Sequence, residues 1–478
     1  VAGLVEEQLA VGVLLAEQAA AAAAVAAGFS GYVQSLLGVA GARLPAAIGG
    51  PPFRYNAETG EWAVTAGVVN LPAVLLVLAT TALNYRGLRE SALANRALVA
   101  IKLTALVLFV LAGAAFVSPD NWVPFVPPAG DGFGRYGWTG ILRASSVVMF
   151  AFIGFDSIST VAAEAASPQV TLPRATIASL AICTVLYIAV GVVMTGLTSY
   201  TTLDVPDPIA VAIEAGGPRL AWLAVVVSAA AVAGLSSVVT VLILSQTRVF
   251  YAMAADGLLP AAMGRIHPVY HTPTVSVAVT GAAAALLAAL LPIDILSEMV
   301  SGGTLFAFVA VCASTQRLRW KEPALRRPFR VPGAPVVPIA GIIASILQLA
   351  LLPGGTWIRL VSWAAIGTVI YIFYSRHHAK PYSARRAALL GLASGVANSG
   401  GVVDSGTPVA PAAVAGVAAA SSDVAAADIE IDLHDDDAPP PPPPPSGGGG
   451  GGGLRIGPVR YDMKRDLLSL HGDAKPLR

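Results

Sequence analysis

Residues Ser145 to Gln169 read SSVVMFAFIGFDSISTVAAEAASPQ, a membrane-length apolar stretch broken at its middle by Gly154, Phe155 and Asp156. A carboxylate near a bilayer midplane is unfavourable unless it faces a cavity or a partner, so an acid here marks a functional position. Gly154 permits backbone conformations that unwind a helix. Unwound backbone at membrane depth persists only where it lines a protein-enclosed site. Together these residues describe the discontinuous helix of a secondary transporter. A plainer reading stays open, in which the span is continuous, the glycine incidental and Asp156 reaches toward an interface.

The rest of the chain has the solvent preference this stretch implies. Of its 478 residues, 55% are hydrophobic and only 12% charged, and the mean hydropathy is +0.71. That balance belongs to an all-α polytopic membrane protein rather than a soluble domain. A formal net charge of +1 gives no basic excess for a nucleic-acid partner. Cys183 and Cys312 both lie in apolar segments, so no disulfide framework or cysteine-based metal site is expected. No phosphate-binding loop, dinucleotide fingerprint, zinc spacing or nucleophile elbow recommends an enzyme or a cofactor. The chain starts at Val1 with no charged leader or cleavage motif, and reads as one whose beginning is missing.

Stretches of roughly 17 to 25 apolar residues mark ten spans, near 8–38, 63–84, 97–117, 139–166, 173–197, 220–247, 273–291, 294–316, 334–352 and 356–375. One set of loops holds most of the Lys and Arg, among them Arg86, Arg89, Arg174, Arg248, Arg265, Arg326 and Arg327. The other holds only Arg43, Arg54, Arg135, Arg143, Arg219 and Arg359. The positive-inside rule makes the first set cytoplasmic, and the even span count puts both ends there. Residues 1–379 thus form the transmembrane domain. Residues 380–478, with acidic DIEIDLHDDD, a proline run and a glycine run, cannot bury enough surface to order and are expected to be a disordered cytoplasmic tail.

Four groups of residues inside the spans are polar enough to need an account. Lys102 lies about a third of the way into an otherwise apolar span. Burial disfavours an ammonium, which suits a lysine to carrying a proton or replacing a metal cation, and snorkelling to the cytoplasmic face is the alternative account. Glu17 and Gln18 interrupt the first span ahead of a long alanine block. Glu17 complements a cationic substrate, binds a proton, or is a hydrogen-bonded structural acid. Ser236, Ser237 and Thr240 line a pocket or bond back to their own helix, and the residue types favour the latter. Asp294 and Glu298 follow Pro292 at a helix start, where the dipole favours acids, so capping is the preferred account.

Four ordered motifs give the chain a resemblance over about Leu9 to Tyr374. They are FAFIGFDSIST with Glu164 to Gln169, TRVFYAMAADGLLP at Thr247 to Pro260, SGGTLFAF at Ser301 to Phe308, and KEPALRRPFRVPGAPVVPI at Lys321 to Ile339. The sequence resembles the amino acid, polyamine and organocation transporter superfamily, and within it the cationic amino acid transporter branch. The resemblance implies two inverted five-helix repeats plus two further helices, with the first and sixth helices unwound around the substrate. It implies that Phe150, Ala151 and Ile153 offer backbone carbonyls to the substrate ammonium at the Gly154 break. It also implies that Ser236 leaves room for a long side chain, and that Lys102 matches a lysine tied to proton coupling. With Lys102, the acids Asp156, Glu17 and Glu164 make up the expected coupling and gating set.

Two departures bear on these expectations. Ala163 precedes a single Glu164 where the family usually has two acids, and the family's first two helices are expected to be absent. The function expected is therefore secondary active transport of amino acids, arginine and lysine first, across a plasma or vacuolar membrane. Protons are the expected coupling partner. Polyamine or neutral amino acid carriage, and a non-transporting nutrient receptor or truncated product, are the alternatives. The 478 residues by themselves are expected neither to bind nor to carry substrate.

Overall fold

The computed structural model describes residues 17–56, 61–87, 92–130, 133–155, 168–321, 323 and 329–378. Asp156, Glu164 and the expected boundary at residues 379 and 380 lie outside the described residues. The first helix, α1 (Glu17–Val39), carries the alanine block. Alanine has the highest helix propensity and the smallest side chain, so the block both forms helix and lets neighbours approach closely. Ala22, Ala23, Ala24 and Ala26 are fully buried, and α1 packs against four other helices.

After α1 the chain makes a small hairpin, β1 (Phe53–Asn56) paired antiparallel with β2 (Glu61–Val64), with Phe53 opposite Val64 and Asn56 opposite Glu61. Trp62 lies 5.3 Å from the Tyr55 ring and 6.3 Å from Phe53, a cross-strand cluster of the kind that stabilises short hairpins. The expected span at 63–84 is corrected here, because residues 61–64 are strand and α2 (Leu71–Tyr85) begins later. Its start is set locally. The Asn70 side chain accepts the Ala73 N–H, and Pro72 occupies the first turn, where its missing donor is harmless.

The following helices are α3 (Ala92–Ala114), α4 (Gly137–Val148), α5 (Pro168–Leu197), the short α6 (Pro208–Ala215) and α7 (Ala221–Ala255). Then come α8 (Thr274–Leu290), α9 (Ile293–Lys321), α10 (Val336–Ala350) and α11 (Gly354–Ile370), the last followed by a π-turn at Tyr371–Ser375. Six segments are long and apolar enough to cross a membrane, and Leu71–Tyr85, Gly137–Phe152, Thr274–Leu290 and Val336–Ala350 are shorter apolar helices. Each of the ten expected spans overlaps one of these helices, so the chain is a polytopic all-α membrane protein, with one small hairpin among the described residues.

Burial identifies the centre. Helices α2, α7, α8 and α9 surround α1, and their buried residues Val77, Ile243, Ala284 and Leu296 join its alanines in one cluster. The α2–α8 contact depends on a glycine: a β-carbon at Gly281 would lie 2.3 Å from Thr81 Cγ2 and Oγ1. By contrast α5 turns Ile177, Ile182, Val185 and Ile188 outward, as a lipid-facing helix does. A second cluster ties α3, α5, α6 and α7 together through Phe109, Val193, Ile213 and Leu223.

Candidate functional site

The apolar stretch from Gly137 stops being α-helix where the sequence predicted a break. Helix α4 ends at Val148, a 3-10 turn covers Met149–Phe152, and Gly154 takes φ +118°, a conformation that L side chains rarely adopt. The change of path is anchored on both sides. Phe150 and Ile153 rest against the cluster around α1, and Phe155 lies 5.3 Å from the Phe308 ring on α9.

The three carbonyls expected to read a substrate ammonium are differently placed. The Phe150 carbonyl accepts the Ile153 N–H at 3.1 Å, which leaves one of its two lone pairs for another donor. The Ala151 carbonyl accepts the Tyr187 hydroxyl of α5 at 2.7 Å, and the Tyr187 ring stands edge-on to Phe152 at 5.3 Å. A tyrosine hydroxyl thus already occupies part of the capacity assigned to the substrate. Tyr187 was not singled out from sequence, since one tyrosine in an apolar span carries no local mark of what it reaches.

Lys102 is half-buried, and its stem crosses α7 at Gly234: a β-carbon there would lie 3.4 Å from Lys102 Cβ and Cδ. Ser236 is also on α7 but two residues on, and residues so spaced do not share a helix face. Its hydroxyl donates to the Val232 carbonyl at 2.7 Å, the back-bonding arrangement, while Thr240 donates to the Ser236 carbonyl at 2.9 Å. Asn84 of α2 then donates to the Thr240 carbonyl at 3.1 Å. The structure therefore brings Lys102 and Ser236 to one helix without bringing them to one side of it.

Glu17 is buried, 6% exposed, beside the Thr304 hydroxyl of α9. A second polar group lies nearby, and it revises the capping account of Glu298. The Glu298 carboxylate is 5% exposed, accepts the Thr356 hydroxyl at 2.8 Å and pairs with Arg359 Nη2 at 3.0 Å, both on α11. Arg359 also donates through Nε to the Gly355 carbonyl at 3.0 Å and sits 5.9 Å over the Tyr55 ring of the hairpin. Counted from sequence as a loop charge, Arg359 instead lies within α11 and ties α9, α11 and the hairpin together. A glutamate in the second turn of one helix and an arginine 61 positions on leave no local signal that they meet.

Comparison with known proteins places this arrangement. The amino acid permease family matches residues 9–374. A methylthioribose transporter of Bacillus subtilis (strain 168) is 38% identical over 365 residues, covering 76% of this chain and 75% of that protein. The branched-chain amino acid permease BcaP of the same organism is 38% identical over 368 residues, 77% of this chain and 76% of its own. A vacuolar cationic amino acid transporter 4 of Arabidopsis thaliana is 36% identical over 256 residues, 54% of this chain and 42% of its own length. These relatives are named as transporters and permeases, not enzymes. With the family matched over residues 9–374, the chain belongs to the amino acid permease family of the amino acid, polyamine and organocation superfamily.

Proposed function

We propose that the protein is a secondary carrier of amino acids working by alternating access, with the Met149–Gly154 break as the place where the substrate ammonium is read. The observation that carries this reading is the backbone itself: a 3-10 turn followed by a glycine at φ +118°, set against the central cluster around α1. Exposed carbonyls of a broken helix are suited to a cation, because their partial negative charge stands where the helix ladder no longer uses it. The Phe150, Ala151 and Ile153 carbonyls would take the ammonium, the substrate displacing or sharing the Tyr187 hydroxyl at Ala151. Lys102 and Glu17 are the described groups assigned to proton coupling, and Asp156 and Glu164 complete that assignment from outside the described residues. We place the Arg-rich loops and the C-terminal tail on the cytoplasmic side of a plasma or vacuolar membrane.

For the side chain of the cargo, arginine and lysine are the first reading, supported by the small Ser236 on α7 and by the likeness to a cationic transporter. A branched-chain aliphatic amino acid is the second reading. The 38% identical relative named as a branched-chain permease favours it, as do the apolar surroundings of Phe150 and Ile153. Competition in vesicles carrying the complete reading frame separates the two. Arginine uptake is expected to be saturable and suppressed by excess lysine but not by leucine or methylthioribose. Suppression by leucine would move the protein to the second reading, and the absence of any saturable amino acid uptake would remove both.

A further inference from the structure

A cavity of about 20 Å³ lies between α1, α9 and α11, lined among others by Glu17, Met299, Gly303, Arg359 and Trp363. Two donors around it are buried with no hydrogen-bond partner, Arg359 Nη1 and Trp363 Nε1. Orphan donors of this kind are costly in a protein interior and are usually met by a bound molecule. The volume exceeds the roughly 10–15 Å³ that one water needs, and three polar groups fall in the range of two to four partners that a buried water requires. An anion is a poor fit, because the Glu298 carboxylate already pairs with this arginine and the Glu17 carboxyl shares the cavity lining.

We infer that this cavity holds one water that joins Glu17 to Arg359 and Trp363, making Trp363 and Arg359 positioning residues for a protonatable Glu17. The inference rests on the coupling role assigned to Glu17 above. Donor counting sets its direction. A water that accepts from Arg359 Nη1 and Trp363 Nε1 has both lone pairs filled, so it can only donate toward Glu17, and a donated O–H supports the carboxylate. Thr304 adds to the balance from the other side. Its single hydroxyl proton stands within reach of both Glu17 Oε1 and the Val300 carbonyl, the latter at 2.9 Å. When that proton goes to Val300, the bond to Glu17 needs a proton from the acid. When it goes to Glu17, the acid is the acceptor. Among the described groups, Thr304 on α9 meets Glu17, Arg359 on α11 shares the cavity lining with it, and Glu298 on α9 pairs with Arg359. Helices α2, α7 and α8 contribute no titratable side chain to the cavity lining.

The test measures amino acid uptake against pH in vesicles carrying the complete reading frame. Trp363→Phe keeps the ring and removes the donor, freeing a lone pair on the water to accept from protonated Glu17. The pH of half-maximal uptake is expected to rise by about one unit, the effect of one hydrogen bond on one protonation state. Glu17→Gln is expected to abolish the pH dependence. If Glu17→Gln keeps the wild-type profile, the coupling role of Glu17 fails and this inference with it. If Glu17→Gln flattens the profile while Trp363→Phe leaves the midpoint unmoved, the coupling role stands and the water link alone is overturned. A cryo-electron-microscopy map at water resolution provides an independent readout. Density touching Glu17, Arg359 and Trp363 is expected, and a cavity without density would overturn the inference whatever the vesicles show.

Discussion

Gly154 separates backbone from side-chain effects cleanly. Its φ of +118° is strained for any L residue, yet a β-carbon built there meets nothing within 4 Å. A Gly154→Ala variant therefore has room but the wrong backbone, with a strain of about 1–3 kcal/mol. Relieving that strain straightens the segment and withdraws the carbonyls that the proposed site needs. Uptake is expected to fall by about tenfold or more, which is what 1.4 kcal/mol does to an equilibrium constant, while membrane insertion and expression are kept. Wild-type uptake by Gly154→Ala would show that the left-handed glycine is not required. The same residue was legible in the sequence, because glycine beside an acid inside an apolar run departs from both membrane and helix rules. Tyr187 and Arg359 were not, since what matters about them is whom they meet.

At the level of elements, helix existence was readable and helix ends were not. Apolar length alone located ten spans, whereas the hairpin at Phe53–Val64 was partly absorbed into a span because Trp62, Ala63 and Val64 are as apolar as a helix start. What sequence could not indicate was how closely these elements approach. Gly281 on α8 faces Thr81 on α2 so tightly that a β-carbon would lie 2.3 Å from the threonine side chain, whose hydroxyl is held to the Val77 carbonyl at 2.6 Å. Gly281→Ala must push the helices apart or force Thr81 out of that bond, at a cost of about 1–3 kcal/mol. The expected result is a lower melting temperature in detergent, with Thr81→Ala in the same chain recovering part of it, since the Thr81 β-carbon would still lie 2.8 Å from the added carbon. An unchanged melting temperature for Gly281→Ala alone would mean that the α2–α8 contact yields easily.

For the whole molecule, the charge asymmetry of the loops predicts which way the helices run through the bilayer. Arg86 and Arg265 lie in one set of connections, with Arg174 in the first turns of α5 and Arg248 in the last turns of α7 on the same set of helix ends, while Arg359, counted from sequence in the opposite set, lies within α11 and pairs with Glu298. An epitope placed after Arg478 is expected to be reachable only once cells are permeabilised; labelling of intact cells would invert the assignment. Helix α1 is packed by α2, α7, α8 and α9, and its six successive alanines present them with a surface of methyl groups. Helices usually interlock through ridges and grooves of longer side chains, and such teeth must change rotamer before one helix can move past another. An alanine has no rotamer to change. Under the proposed alternating access, α1 would act as a polished bearing across which its neighbours can tilt at little cost.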